Sequence, residues 1–305
     1  MRPGQTTGQS CMKTQLGTAK TQSIGTNMPQ KYRASNRYLE WNDPIFWPEI
    51  AETLLSSCNR KTPGIDGIAA EWVKLATPEG ETTGTPWIPD EPDTSLGKRF
   101  LELIQRMFEE AYIPDVWGTA EVVPVLKKDS HTDMNSYRPI RLIPSIMKLL
   151  CAILTNRIHS GLQERKFFAP EQAGFRSREE CMSHALTFIE VVQRRFTSDQ
   201  QPTYVCFIDF QKASDTVPHE ALFLKMERAG VSEKCLAFFR ALYVDSWMRI
   251  RLGDGSRTPS IRMRRGLRQG DPAFPLLFNI FINDLLNNCR QYVLEVPWID
   301  WGDAR

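Results

Sequence analysis

The chain has 305 residues, 41% of them hydrophobic and 24% charged, with a formal net charge of +2. At roughly 150 residues per domain this is enough chain for two domains, and the composition supports a buried core and excludes wholesale disorder. The net charge is too small to mark a nucleic-acid binder by itself, and no uncharged apolar run reaches the roughly 18 residues that would cross a bilayer. Seven cysteines without a C-x-x-C pair, and no apolar stretch behind a basic start, predict a reduced intracellular protein of nucleus and/or cytoplasm, with neither zinc framework nor secretory leader.

Residues 1–35 are Gln, Thr, Ser and Gly with no acid before Glu40, which predicts a disordered tail. A helix is predicted over 48–58, with Ile50, Leu54 and Leu55 on one face and Pro48 in the first turn. The turn-forming Lys61-Thr-Pro-Gly-Ile-Asp-Gly67 leads to a short helix over 69–76. Four prolines and five acids without a base predict a solvated loop over 77–95, and helical periodicity resumes over 96–112. A strand is predicted over 120–126, ending in Lys127-Lys128, and amphipathic helices over 146–162 and 181–196.

The β-rich apolar run 203–208 predicts a buried strand that stops at Asp209. Helices follow over 218–229, closed by Gly230, and 232–243, capped by Ser232. Segments 247–252 and 261–265 flank Gly253-Asp-Gly255 as a hairpin, and 272–289 is a long apolar helix.

Asp209 is the most informative position, because an acid closing a buried strand points at solvent, a cation or a metal. Asp215 follows across a turn; the two acids suit a hard cation such as Mg²⁺, while Asp215 with Thr216 equally suits a helix cap. Between Arg240 and Gly270 eight arginines face two acids, which reads as a phosphate-tracking surface or as a solvated hairpin face. Cys181 and His184 share a helical face without a second ligand pair, so zinc is not expected there. Phe238, Phe239, Tyr243 and Trp247 read as packing residues rather than base-stacking platforms.

Phe207-Ile-Asp-Phe-Gln-Lys-Ala-Ser-Asp-Thr-Val217 resembles the first palm motif of reverse transcriptases of non-LTR retrotransposons. Gly266-Leu-Arg-Gln-Gly-Asp-Pro272, running into Pro275-Leu-Leu-Phe-Asn279, resembles their second palm motif. Asn135-Ser-Tyr-Arg-Pro-Ile140, Gln172-Ala-Gly-Phe-Arg176 and Thr62-Pro-Gly-Ile-Asp-Gly67 fall in order where that family has similar stretches.

The resemblance implies an α+β fold: fingers over 36–200, a partial palm over 201–305 with an antiparallel sheet backed by helices, and no thumb. It implies RNA-directed DNA synthesis with an RNA template, a DNA primer, deoxynucleoside triphosphates and two Mg²⁺ ions. Asp209 and the carbonyl of Phe210 would hold metal, and Lys127 and Arg138 would grip the triphosphate. Gln269 and Gly270 would lie against the base pair, and Ser214 stands where the family has an aromatic ring that rejects a 2′-hydroxyl. Ala273-Phe274 also departs from the second motif, which there carries an apolar residue and serine.

The family's aromatic-Ala-Asp-Asp turn has no counterpart among the late acids Asp284, Glu295, Asp300 and Asp303, although Val293-Leu-Glu-Val-Pro297 resembles its approach. The chain by itself is therefore expected to be nearly inactive. A catalytically dead nucleic-acid-binding remnant is the alternative, and a nuclease built on Asp209 and Asp215 rests on acid spacing alone.

Overall fold

The computed structural model describes residues 40–77, 88–127, 131–176, 181–198 and 200–292. In chain order its elements are α1 (Trp47–Ser56), α2 (Ala70–Lys74), α3 (Ser95–Glu109), α4 (Asp115–Gly118), β1 (Thr119–Leu126), β2 (Tyr137–Leu142) and α5 (Ser145–Glu164). They continue with α6 (Cys181–Thr197), α7 (His219–Arg228), α8 (Glu233–Val244), β3 (Trp247–Ile250), β4 (Ile261–Arg262) and α9 (Phe274–Tyr292). The fold mixes helices with one four-stranded sheet in the order β2-β1-β3-β4.

That sheet is mixed, which corrects the antiparallel expectation. β1 runs antiparallel to β2 but parallel to β3, and β3 returns antiparallel into β4. The helices α5 to α8 lie between β1 and β3 in sequence and supply the long crossover a parallel pair needs. β2 was not foreseen, because Pro139 argues against a ladder. Pro139 sits directly opposite Pro124, so both missing donors fall on one rung.

Apolar residues from Trp41 to Ile280 form one core, drawing on both sides of residue 200. α5 runs through it with twelve buried residues, too many for one stripe. Its Arg157 is buried and fixes α1: Nε and Nη2 donate to the two carboxylate oxygens of Glu49 at 2.8 and 2.6 Å. The same guanidinium donates to the carbonyls of Asp43 and Pro44 at 2.5 and 2.8 Å. The fan of bonds leaves this buried cation fully compensated.

The foreseen helices form within a few residues of their expected limits, and the hairpin forms around Gly253–Gly255. Ser232 occupies the first cap of α8 but its side chain makes no capping bond. α6 forms, yet its apolar Met182, Leu186 and Phe196 stay exposed. The largest departure is 203–208. This segment is irregular rather than a strand, and Tyr204, Phe207 and Ile208 are 91%, 85% and 74% exposed. β composition makes a strand only where a neighbour accepts its backbone bonds, and none of the four described strands pairs with it.

Candidate functional site

Two distant segments, 212–219 and 266–271, are bonded into one turn structure. Lys212, with φ at +48°, opens a 3-10 turn over Ala213–Asp215, closed by the Asp215 N–H donating to the Lys212 carbonyl at 2.9 Å. The Gly266 N–H donates to the Val217 carbonyl and the Leu267 N–H to the Ser214 carbonyl, both at 2.8 Å. His219 Nε2 meets the Gly266 carbonyl at 2.9 Å. Gly266 is required here: its φ is +91°, and a Cβ would lie 2.7 Å from the Asp215 carbonyl oxygen.

β2 completes the assembly. The Arg141 N–H donates to the Gln269 carbonyl at 3.0 Å. Gly270, with φ at +105°, brings its backbone so close that a Cβ would stand 2.7 Å from the Arg141 carbonyl oxygen. The Gln269 side chain turns back, its Nε2 donating to Ser214 Oγ at 2.8 Å and to Asp215 Oδ1 at 3.2 Å. Ser214, Gln269 and Gly270, singled out separately in the sequence, therefore meet in space.

Lys127 and Arg138 share one end of the β1–β2 ladder, where Arg138 pairs with Val125 and the Lys127 N–H donates to the Ser136 carbonyl. Both side chains are exposed. Arg138 stands three residues from Arg141 along β2, about 10 Å at strand spacing. Asp209 and Phe210 are exposed on the irregular segment instead of ending a strand. Their carboxylate and carbonyl oxygens suit a hard cation, but no group of three His, Cys, Asp or Glu that could hold a metal forms among the described residues. The donor chemistry fits magnesium while the donor set there is incomplete.

Beneath the turn lies a charged cluster that the sequence reading did not single out. Arg141, Arg268 and Asp271 are all buried, beside Tyr243 and Cys151. Burial, reinforced by the neighbouring Arg268 charge, pushes Arg141 down to about 10. Burial raises the Asp271 carboxyl, against the pull of Arg268 and of the Ala273 N–H, which donates to Oδ1 at 2.9 Å. Burial likewise pushes the Cys151 thiol and the Tyr243 phenol up, and His219 down. The one sequence signal for the cluster was that Arg268 and Asp271 bracket Gln269-Gly270 just before an apolar helix.

The arginine-rich stretch is less free than its charge suggested. Buried Glu121 on β1 pairs with Arg251 at 2.5 Å and Arg257 at 2.9 Å, clamping the hairpin to the sheet. Arg249 donates to Ser260 at 2.8 Å, Arg262 to the Val244 carbonyl at 3.4 Å, and Arg240 lies 3.7 Å from Glu220. Arg249, Arg257, Arg262, Arg264 and Arg265 are exposed, and of these Arg264 and Arg265 have no side-chain partner among the described residues. Phe238, Phe239 and Tyr243 are core residues, as expected, and Trp247 is half-buried on β3.

The profile of the family described as reverse transcriptase (RNA-dependent DNA polymerase) matches residues 125–302. The chain is 29% identical over 194 residues to a retrovirus-related Pol polyprotein from type-1 retrotransposable element R2 of Popillia japonica, covering 63% of the chain and 26% of that protein. It is 26% identical over 243 residues to a probable RNA-directed DNA polymerase from transposon BS of Drosophila melanogaster, covering 79% of the chain and 25% of that protein. It is also 26% identical over 251 residues to the RNA-directed DNA polymerase from mobile element jockey of Drosophila funebris, covering 80% and 25%. The chain thus spans about a quarter of the length of these relatives.

Proposed function

Because the chain belongs to the reverse transcriptase (RNA-dependent DNA polymerase) family, we propose that it forms fingers and part of the palm of a non-LTR retrotransposon polymerase that extends a DNA primer on an RNA template. The observation that carries this reading is the meeting of Ser214, Gln269 and Gly270, bonded to β2 through Arg141. Positioning and charge stabilisation supply most of the catalysis in phosphoryl transfer, so a rigid turn that places template and nucleotide is what the reaction asks of the protein.

In this reading Lys127 and Arg138 grip the triphosphate from the end of the β1–β2 ladder. Gln269 and Gly270 face the base pair. Ser214 leaves room for a 2′-hydroxyl, so ribonucleotides are rejected less than by a polymerase with a ring at that position. Asp209 and the Phe210 carbonyl contribute oxygen donors for magnesium, which when bound polarises the reacting phosphate oxygens and lowers the pKa of the attacking hydroxyl. Arg264 and Arg265 lie against the nucleic-acid backbone.

The test is binding of the chain to an RNA–DNA hybrid across a salt series, followed by addition of deoxynucleotides and Mg²⁺. Affinity is expected to fall steeply with salt, and Lys127→Ala with Arg138→Ala to lower nucleotide affinity rather than the salt slope. Salt-independent binding, or nucleotide affinity unmoved by both changes, overturns the reading. A second reading, hybrid binding without nucleotide transfer, draws on the irregular, exposed setting of Asp209. Binding without primer extension selects it.

A further inference from the structure

The bond from Gln269 into the 3-10 turn decides more than where that side chain lies. A glutamine amide has two faces, an NH2 that donates and a carbonyl oxygen that accepts, and its partners determine which end points where. Ser214 Oγ tolerates either end, since a hydroxyl both donates and accepts. Asp215 does not: an ionised carboxylate only accepts, and at 3.2 Å it would repel the amide oxygen as strongly as it attracts the NH2. The backbone on both sides is fixed, by Arg141 on the Gln269 carbonyl and by Leu267 on the Ser214 carbonyl. The amide cannot answer by moving its whole residue.

With Nε2 engaged inward, Oε1 is left as the free end. It accepts no hydrogen bond among the described residues, and it is not among the buried polar atoms that lack a partner. Gln269 is half-buried, and Gly270 beside it is exposed and carries no side chain.

We infer that Asp215 is a positioning residue that locks the Gln269 amide with its oxygen outward, so that this point of the turn reads a hydrogen-bond donor on the bound nucleic acid. The inference rests on the proposed function for its ligand. On an RNA–DNA hybrid the group that only donates is the exocyclic amino group of guanine in the minor groove; the 2′-hydroxyl of the RNA strand both donates and accepts, and either end of the amide would meet it. Asp215 acts through the orientation of Gln269.

The test uses the full chain and fluorescence anisotropy with short template–primer duplexes. One arm compares guanine with inosine, which lacks only the amino group, and a control arm compares an RNA template strand with a DNA one. Wild type is expected to lose roughly fivefold in affinity when inosine replaces guanine, the size of one neutral hydrogen bond. Asp215→Asn keeps the shape but offers both a donor and an acceptor, so the amide is free to turn and the guanine–inosine ratio should fall to about one, while the control ratio stays as in wild type. A merely structural role would weaken all duplexes alike and leave the ratio intact. Equal affinity of wild type for the guanine and inosine duplexes overturns this inference while leaving the functional reading standing. Undiminished discrimination by Asp215→Asn overturns the role of Asp215. No binding to any duplex removes the functional reading, and this inference with it.

Discussion

Two buried arginines stand in the same core under opposite conditions. Arg157 satisfies Glu49 at both carboxylate oxygens and reaches two backbone carbonyls besides. Arg268 is 1% exposed, yet its Nε and Nη2 find no hydrogen-bond partner among the described residues, and neither does Oδ2 of its neighbour Asp271. A compensated buried cation joins α1 to α5. One that faces a carboxylate but lacks hydrogen bonds at Nε and Nη2 lies under a turn that also carries two glycines at positive φ. Local cost of this kind concentrates where geometry serves a ligand rather than stability, and the segment 266–271 fits that pattern.

The comparison has a sharp consequence for stability. Arg157→Met removes every bond that ties α1 to α5 and leaves Glu49 without its cation, so it should cost about 3–5 kcal/mol. Urea unfolding followed by circular dichroism measures this, and a cost below about 1 kcal/mol would remove Arg157 from its anchoring role. Gly270→Ala comes next. Its Cβ would press against the Arg141 carbonyl oxygen at a φ that side chains rarely adopt, for a cost of about 2 kcal/mol. Because the strain falls on the turn itself, hybrid affinity should drop along with stability. An alanine variant with wild-type unfolding would mean the turn relaxes freely.

Much of this was legible in the sequence, and the failures share one cause. Helices carry their own signals, so α5, α7 and α9 could be placed from periodicity, prolines and glycines. The site residues Ser214, Gln269 and Gly270 were legible as a pattern of residue types, but their contact was not, since it is made by direct bonds between two segments far apart in the chain. β2 was hidden by Pro139, whose missing donor matters only if its partner needs it. The run 203–208 was misread for the converse reason, because a strand is a property of two segments and its composition belongs to one. Charge depends on a partner in the same way: the sequence leaves Arg251 and Arg257 open between phosphate tracking and a solvated face until Glu121, far away in sequence, is found between them.

Arg268→Met gives the smallest stability effect and the most discriminating. The guanidinium forms no bond through Nε or Nη2 whose loss would count against the variant, and its positive charge weakens Arg141. Removing one partner of a buried charged pair is costly where the other stays ionised, so the cost of this variant depends on the charge state of Asp271. What the variant does lose is the counter-charge to Asp271, whose carboxyl burial already raises and Arg268 holds back. Without Arg268 that carboxyl rises further, and a buried acid with a raised pKa keeps a proton that the unfolded chain releases. Stability of the variant must then fall as pH rises through and above the carboxylate range, the reverse of the usual acid sensitivity. Unfolding in urea should find it close to wild type near pH 4 and measurably less stable at pH 7. A loss as large as that of Arg157→Met at both pH values would mean that Arg268 is anchored after all, and that the two arginines differ in appearance only.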